Sequence, residues 1–175
     1  MFETHALSVD NERDLATGWL DGTLSPTGRR LAQELGNRRR DDDLAAVFTS
    51  DLGRAVETAV IAFEGSRIAI FPDRRLRECD YGELNGMPVA RLEGERSRHI
   101  DLPYPGGESY RQVTERVRDF LGDLSGDWDG KREHIIGHSA TRWALDELLG
   151  GIALDESVST PFAWRVGWTY TLEVR

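Results

Sequence analysis

The sequence predicts an α/β protein, a three-layer α/β/α sandwich with a mainly parallel central sheet. Three observations carry that reading. Short β-type runs alternate with helical patterns of ten or more residues, which is what βα crossovers require. The length, 175 residues, suits a single domain over 1–175. Hydrophobic residues make up 39% of the chain, with five Trp and six Phe, enough to fill a core between layers.

The elements follow in order. Phe2 to Thr4 is a strand stub. Ser25 and Pro26 provide an N-cap and first helical residue for a helix running through about Leu35. Ala45 to Thr49 reads as a buried strand. Ser50 then caps a helix whose apolar positions, Leu52, Ala55, Val56, Ala59, Val60 and Phe63, recur at threes and fours. Arg67 to Phe71 is a further strand closed by Pro72. Pro103 to Gly107 is loop, and Glu108 opens a helix to about Leu121. His134 to Ile136 is a strand that turns at Gly137 into a helix from about Ser139 to Leu149. The tail, Phe162 to Val174, alternates Trp, Val, Thr and Tyr and reads as strand. The charge run Arg38 to Asp43 reads as a solvated helix end, its signs arranged to suit the helix dipole.

Composition excludes several classes of function. Lys and Arg number 22 against 31 Asp and Glu, a net charge of −9, which argues against gripping nucleic acid or anionic lipid. A lone cysteine, Cys79, allows no internal disulfide and no metal site of its own. No apolar run approaches the length of a membrane span, and the polar N-terminus does not read as a signal peptide. The expectation is a soluble, cytoplasmic protein without metal or cofactor.

In parallel sheets ligands gather at the carboxyl ends of strands, where helix N-termini expose free N–H groups. Four polar residues fall there: His5 after the first strand, Arg54 in the first turn after the second, Glu78 in the loop after the third, and His138 before the last helix. Two imidazoles, a guanidinium and a carboxyl would suit phosphoryl transfer. A neutral imidazole attacks phosphorus, a fixed cation neutralises the group in flight, and a carboxylic acid protonates the departing oxygen. A purely structural role for isolated His and Arg near helix ends is the competing reading.

These residues sit in a series of segments that resembles the histidine phosphatase superfamily. Thr4-His5-Ala6-Leu7-Ser8-Val9-Asp10-Asn11 is similar to its RHGET-x-x-N opening. Gly18-Trp19-Leu20-Asp21 followed by Leu24-Ser25-Pro26-Thr27-Gly28 resembles its GW-x-D segment. Ser50 to Ala59 resembles SDL-x-RA-x-[QE]TA, Leu76 to Gly86 resembles L-x-E-x-x-[FY]G-x-x-x-G, and Pro105 to Ser109 reads PGGES. Gly137-His138-Ser139 stands where the family has its second histidine. The resemblance implies a phosphoglycerate mutase-like fold and a metal-independent phosphomonoester hydrolase acting on a small phosphorylated metabolite. It implies that His5 is the nucleophile, Arg54 the fork for two phosphate oxygens, Glu78 the proton donor and later the base, and His138 a donor to the phosphoryl oxygens. Asn11 and the backbone N–H of Ser139 would complete the phosphate cradle.

One departure stands out. The family carries Arg before the nucleophile, and here that position is Thr4; Ala6 and Leu7 likewise replace Gly and Glu. Loss of one charge-assisted contact would cost about 1.5–3 kcal/mol. The alternatives are therefore a slower or choosier phosphatase and a degenerate module that binds a phosphorylated ligand or a protein without turnover. A phosphoglycerate mutase is a third reading, disfavoured because only about 26 residues separate Gly82 from Glu108. Arg142 is read either as partial compensation for the missing arginine or as an exposed helix charge. Cys79 reads as a small buried hydrophobe, His99 as solvated surface or part of a substrate lid, and His134 as structural. Trp164, Trp168 and Tyr170 read as strand packing rather than a platform for substrate. Substrate identity and oligomeric state are not legible, although specificity is expected to reside in Asn85 to Tyr104.

Overall fold

The computed structural model describes residues 1–128 and 130–173. Its strands are β1 (Phe2–Thr4), β2 (Leu15–Ala16), β3 (Ala46–Ser50), β4 (Ala69–Asp73), β5 (Met87–Pro88) and β6 (Glu133–Gly137). Its helices are α1 (Val9–Glu12), α2 (Pro26–Arg39), α3 (Gly53–Ala62), α4 (Val89–Glu95), α5 (Tyr110–Asp127), α6 (Ser139–Gly150) and α7 (Leu154–Ser159). Four strands form a wholly parallel sheet in the order β1-β6-β3-β4, and β2 pairs with β5 in a small antiparallel ribbon.

Strand periodicity divides the core in two. Val47 and Ile136 face one side of the sheet, where they pack with Leu35 of α2 and with Ala55, Ala59 and Ala62 of α3. Their neighbours Ala46, Phe48 and Ile135 face the other side, with Phe2, and meet Val113, Val117 and Phe120 of α5 and Ala144 and Leu145 of α6. Alternate residues on each strand thus serve opposite layers, the period of two that a sheet covered on both faces demands. The three-layer reading holds.

Local signals account for most element ends. The Ser25 hydroxyl accepts the Gly28 N–H at 3.0 Å and Pro26 takes the first helical position, although α2 continues one turn past Leu35. Ser109, not Glu108, caps α5, in a capping box with Gln112.

Several expectations need correction. Ser50 is the last residue of β3, and Leu52 precedes α3 as its N-cap; within the expected apolar stripe, Val60 is 53% exposed. Pro72 lies inside β4 rather than after it, which the ladder tolerates because β4 is an edge strand. The tail makes no strand among its described residues. It is held to β1 only by a single antiparallel bridge between Phe2 and Trp168, while Val174 lies outside the described residues. Arg38 and Arg39 are not merely solvated, because both bond the carboxylate of buried Glu3, at 3.0 and 2.7 Å. His99 is buried and stacks on Tyr104 with ring centroids 3.8 Å apart, so it is not surface.

His134 is structural in an unusual way. It is fully buried in β6 against Phe63, and neither ring nitrogen finds a partner among the described residues. Burial, with help from the N-terminal amine and Arg39, pushes its pKa down to about 3. A folded-state pKa below the unfolded value means that stability is intact above about 6.5 and drains as pH falls toward 3. Replacing His134 by Leu should therefore shrink the stability loss between pH 7 and pH 5 by about 2 kcal/mol, measured by urea unfolding at both values. An unchanged loss would show that His134 is not held neutral.

Candidate active site

The register of the sheet builds the site. β1 and β6 are neighbours with Thr4 opposite Gly137, so the residues that follow, His5 and His138, emerge side by side at the carboxyl edge. Their rings lie 5.0 Å apart. The backbone N–H of His5 still donates to the Gly137 carbonyl at 2.9 Å, which fixes their spacing. β3 lies on the other side of β6, and the helix after it delivers Arg54 as its second residue. Glu78 comes from the loop beyond β4.

Hydrogen bonds decide what each nitrogen can do. His5 Nδ1 lies 2.7 Å from the Ala6 carbonyl, an acceptor, so Nδ1 carries the proton and Nε2 the lone pair. Arg54 Nε donates to that Nε2 at 3.3 Å. Arg54 Nη2 lies 3.4 Å from His138 Nδ1, which must then accept and leaves the proton on Nε2. His138 Nε2 is buried and has no partner among the described residues, an N–H awaiting an acceptor.

Burial and the Arg54 charge push the His5 pKa down to about 3 and hold His138 well below the ordinary imidazole range. Both rings are neutral near pH 7. Glu78 is moved the other way. Burial raises its pKa, against opposing pulls from the Cys79 N–H, the Arg54 charge and the Ala140 N–H. Its Oε1 accepts those two backbone bonds at 2.8 and 3.2 Å, the second from the first turn of α6.

Arg54 is aimed by carbonyls that sequence reasoning did not assign. Its Nη2 donates to Gly18 O at 2.8 Å and its Nη1 to Leu20 O at 3.4 Å. Gly18 has φ +56°, and a Cβ there would run into Asn85 Oδ1, so glycine is needed for the turn that presents this carbonyl. Thr58 Oγ1 accepts from Ala6 N–H at 3.0 Å and donates to Arg54 O at 2.7 Å, tying the His5 loop to α3. The Glu78 backbone is clamped as well: its carbonyl accepts from Trp19 Nε1 at 2.7 Å and from Arg116 Nη2 at 2.9 Å. Arg116 is itself held by Glu108 of the PGGES segment, at 2.9 Å.

The remaining residues fall out as follows. Asn11 and Ser139 both line the same cleft, of about 560 Å³, as His5, Arg54, Glu78 and His138. The Asn11 Oδ1 is engaged by the Ser8 N–H and hydroxyl, at 3.0 and 2.8 Å, so its amide N–H groups are what remain for a ligand. Ser139 opens α6, where backbone N–H groups have no intrahelical acceptor. Arg142 does not line the cleft. It pairs with Asp146 at 2.9 Å and covers the Trp168 ring, so it neither replaces the missing arginine nor stands exposed. Cys79 is buried and its thiol pKa is raised by that burial, as an inert small hydrophobe requires. Trp164, by contrast, is 60% exposed and lines the cleft with Phe162.

Comparison with known proteins shows the family and the fold. The model of the histidine phosphatase superfamily (branch 1) matches residues 4–164, and the chain belongs to that family. Among individual relatives, the Bacillus subtilis protein named uncharacterized phosphatase PhoE is 33% identical over 81% of this chain and 72% of its own length. A 2,3-bisphosphoglycerate-dependent phosphoglycerate mutase of Parvibaculum lavamentivorans is 36% identical over 97% of this chain and 88% of its own. Among solved structures, Bacillus stearothermophilus YhfR superposes with a TM-score of 0.82 at 27% identity, covering 99% of this chain and 94% of that one. The fold is phosphoglycerate mutase-like. No helix among the described residues is long and apolar enough to cross a membrane.

Proposed function

We propose that the protein is a phosphomonoester hydrolase that works through a phosphohistidine on His5. One observation carries the reading: the Nδ1 bond to Ala6 O leaves the Nε2 lone pair beside the Arg54 guanidinium, in a cleft shared with His138 and Glu78. In the first step Nε2 attacks phosphorus, the bond to the ester oxygen breaks, and Glu78 gives that oxygen its proton. Arg54 and the His138 Nε2 N–H stabilise the charge on the phosphoryl oxygens. Asn11 and the Ser139 N–H complete the cradle. In the second step Glu78, now a carboxylate, takes a proton from water, water attacks phosphorus, and the P–N bond breaks to return His5 and inorganic phosphate.

The positive charge and the acid both come from side chains, so the reading requires no metal. Purified protein should hydrolyse p-nitrophenyl phosphate with undiminished rate in EDTA, and His5→Ala should show none of that activity. Hydrolysis that persists in His5→Ala, or that vanishes in EDTA, overturns it. Transfer of the phosphoryl group back to an organic acceptor is the second reading, favoured by the 36% identity to the Parvibaculum mutase. It predicts a phosphoenzyme stable to water and discharged by 3-phosphoglycerate.

A further inference from the structure

The cleft runs well beyond the phosphate site, and its chemistry there is selective. Around the catalytic residues its walls are mostly apolar: Leu15, Val89, Leu92 and Trp143 contribute, with Phe162 and Trp164 from the C-terminal tail. Phe162 is 38% and Trp164 60% exposed, and both open onto this cleft rather than packing away inside the tail. The tail that carries them is anchored, not loose. Trp168 exchanges backbone bonds with Phe2 at 2.8 and 2.9 Å, and Arg39 Nη2 donates to Val166 O at 2.7 Å. These ties hold the aromatic pair beside β1, the strand that ends at Thr4 and His5.

Charge in the cleft points the same way. Besides Arg54, the arginines lining it are Arg38 and Arg96. Arg38 is bonded to Glu3 at 3.0 Å, and Arg96 lies over the Trp143 ring with Glu93 3.8 Å away; the Nε of each is buried without a partner among the described residues. Glu3, Glu34 and Glu93 also line the cleft, and Thr4 adds no charge where an arginine would have stood. A second phosphate or a carboxylate on the substrate would meet these three carboxylates against two guanidiniums, of which only that of Arg38 is hydrogen-bonded to an acid. A flat apolar group would meet aromatic faces.

We propose that the substrate is a monophosphate ester of an aromatic or similarly flat apolar alcohol bearing no second anionic group, its ring held against Trp164 and Phe162. This rests on the phosphatase reading above and adds the substrate class to it.

The test compares 2-phenylethyl phosphate with glycerol 3-phosphate and 3-phosphoglycerate. All three release aliphatic alkoxides, so leaving-group chemistry does not bias the comparison toward the aromatic ester as a phenol would. The wild type should show the lowest KM for 2-phenylethyl phosphate. In Trp164→Ala the ratio of its KM to that of glycerol 3-phosphate should rise roughly tenfold, and Trp164→Phe should restore most of it. Calorimetric titration of the same three esters into His5→Ala gives the ranking by affinity even where no ester is turned over. Absence of turnover by the wild type on all three esters would remove the phosphatase reading, while the calorimetric ranking would still decide the binding preference. Preference for 3-phosphoglycerate, lost in Arg96→Met, would overturn the proposal and place specificity in the buried guanidinium. So would a KM ratio unmoved by Trp164→Ala.

Discussion

Arg54→Ala should lower kcat/KM for any phosphate ester by about 10³-fold, and with it the affinity for vanadate. Removal of a single uncharged donor to a transition-state oxyanion already costs 10²- to 10³-fold, and here the donor is a charged fork. Nothing nearby can take its place. Arg38 is bonded to Glu3, Arg96 is buried over the Trp143 ring near Glu93, and Arg142 is turned to Asp146 outside the cleft. His5 and His138 are neutral near pH 7, so without Arg54 a phosphate dianion would face only partial charges. Arg54 also bonds the Gly18 and Leu20 carbonyls, so Arg54→Lys and a thermal melt are needed beside it. A melt shifted by only a few degrees with activity still lost assigns the effect to the phosphate. The reciprocal change, Thr4→Arg, adds a guanidinium at the end of β1, beside the nucleophile. It should tighten vanadate binding roughly tenfold, equivalent to about 1.4 kcal/mol. Unchanged binding would mean that the Thr4 position does not reach the phosphate.

Glu78→Gln should divide substrates by leaving group. Toward an alkyl phosphate, whose alkoxide needs a proton, turnover should fall 10²- to 10⁴-fold; toward p-nitrophenyl phosphate the loss in the first step should be slight. The pH dependence follows from the direction of the shift. Burial raises the Glu78 pKa, so the proton-carrying form survives to higher pH than in an exposed carboxyl. kcat/KM on an alkyl phosphate should fall as pH rises through that raised value, and the fall should be absent in Glu78→Gln. At the acid end the limb is set by protonation of His5, and its pKa of about 3 places that limb far below neutrality. An activity lost between pH 7 and 6 through protonation of His5 would contradict the structure. Equal losses in kcat/KM, which reports the first step, on both substrate types would remove Glu78 as the acid.

Much of the site was legible because it sits at punctuation points of the chain. His5, Arg54 and His138 each follow a short strand, and the parallel order of those strands brings their carboxyl ends together whatever the loops do. The helix start at Ser25 is a local event, decided within four residues; the start of α5 reads from sequence as Glu108, one residue before its Ser109 cap. What escaped depended on distant partners. The buried stacking of His99 comes from Tyr104, and the pairing of Arg38 and Arg39 comes from Glu3, more than thirty residues away. The tail repeats a strand-like alternation, yet among its described residues only Trp168 forms a backbone bridge, because its neighbour, β1, is three residues long. The same shortness leaves Trp164 free to face the cleft. No local pattern separates that outcome from strand packing.

The central claim is covalent, and one measurement reaches it directly. Glu78→Gln mixed with p-nitrophenyl phosphate should still load His5, since the leaving group needs no proton, but should lose the base that directs water at the second step. A phosphoenzyme should accumulate. Quenched in alkali and digested, it should yield one phosphate per chain on the peptide containing His5, stable in base and labile in acid. The same label should be absent from the Glu78→Gln, His5→Ala double variant. Phosphate found on another residue, or steady-state hydrolysis by His5→Ala at the wild-type rate, would contradict the account.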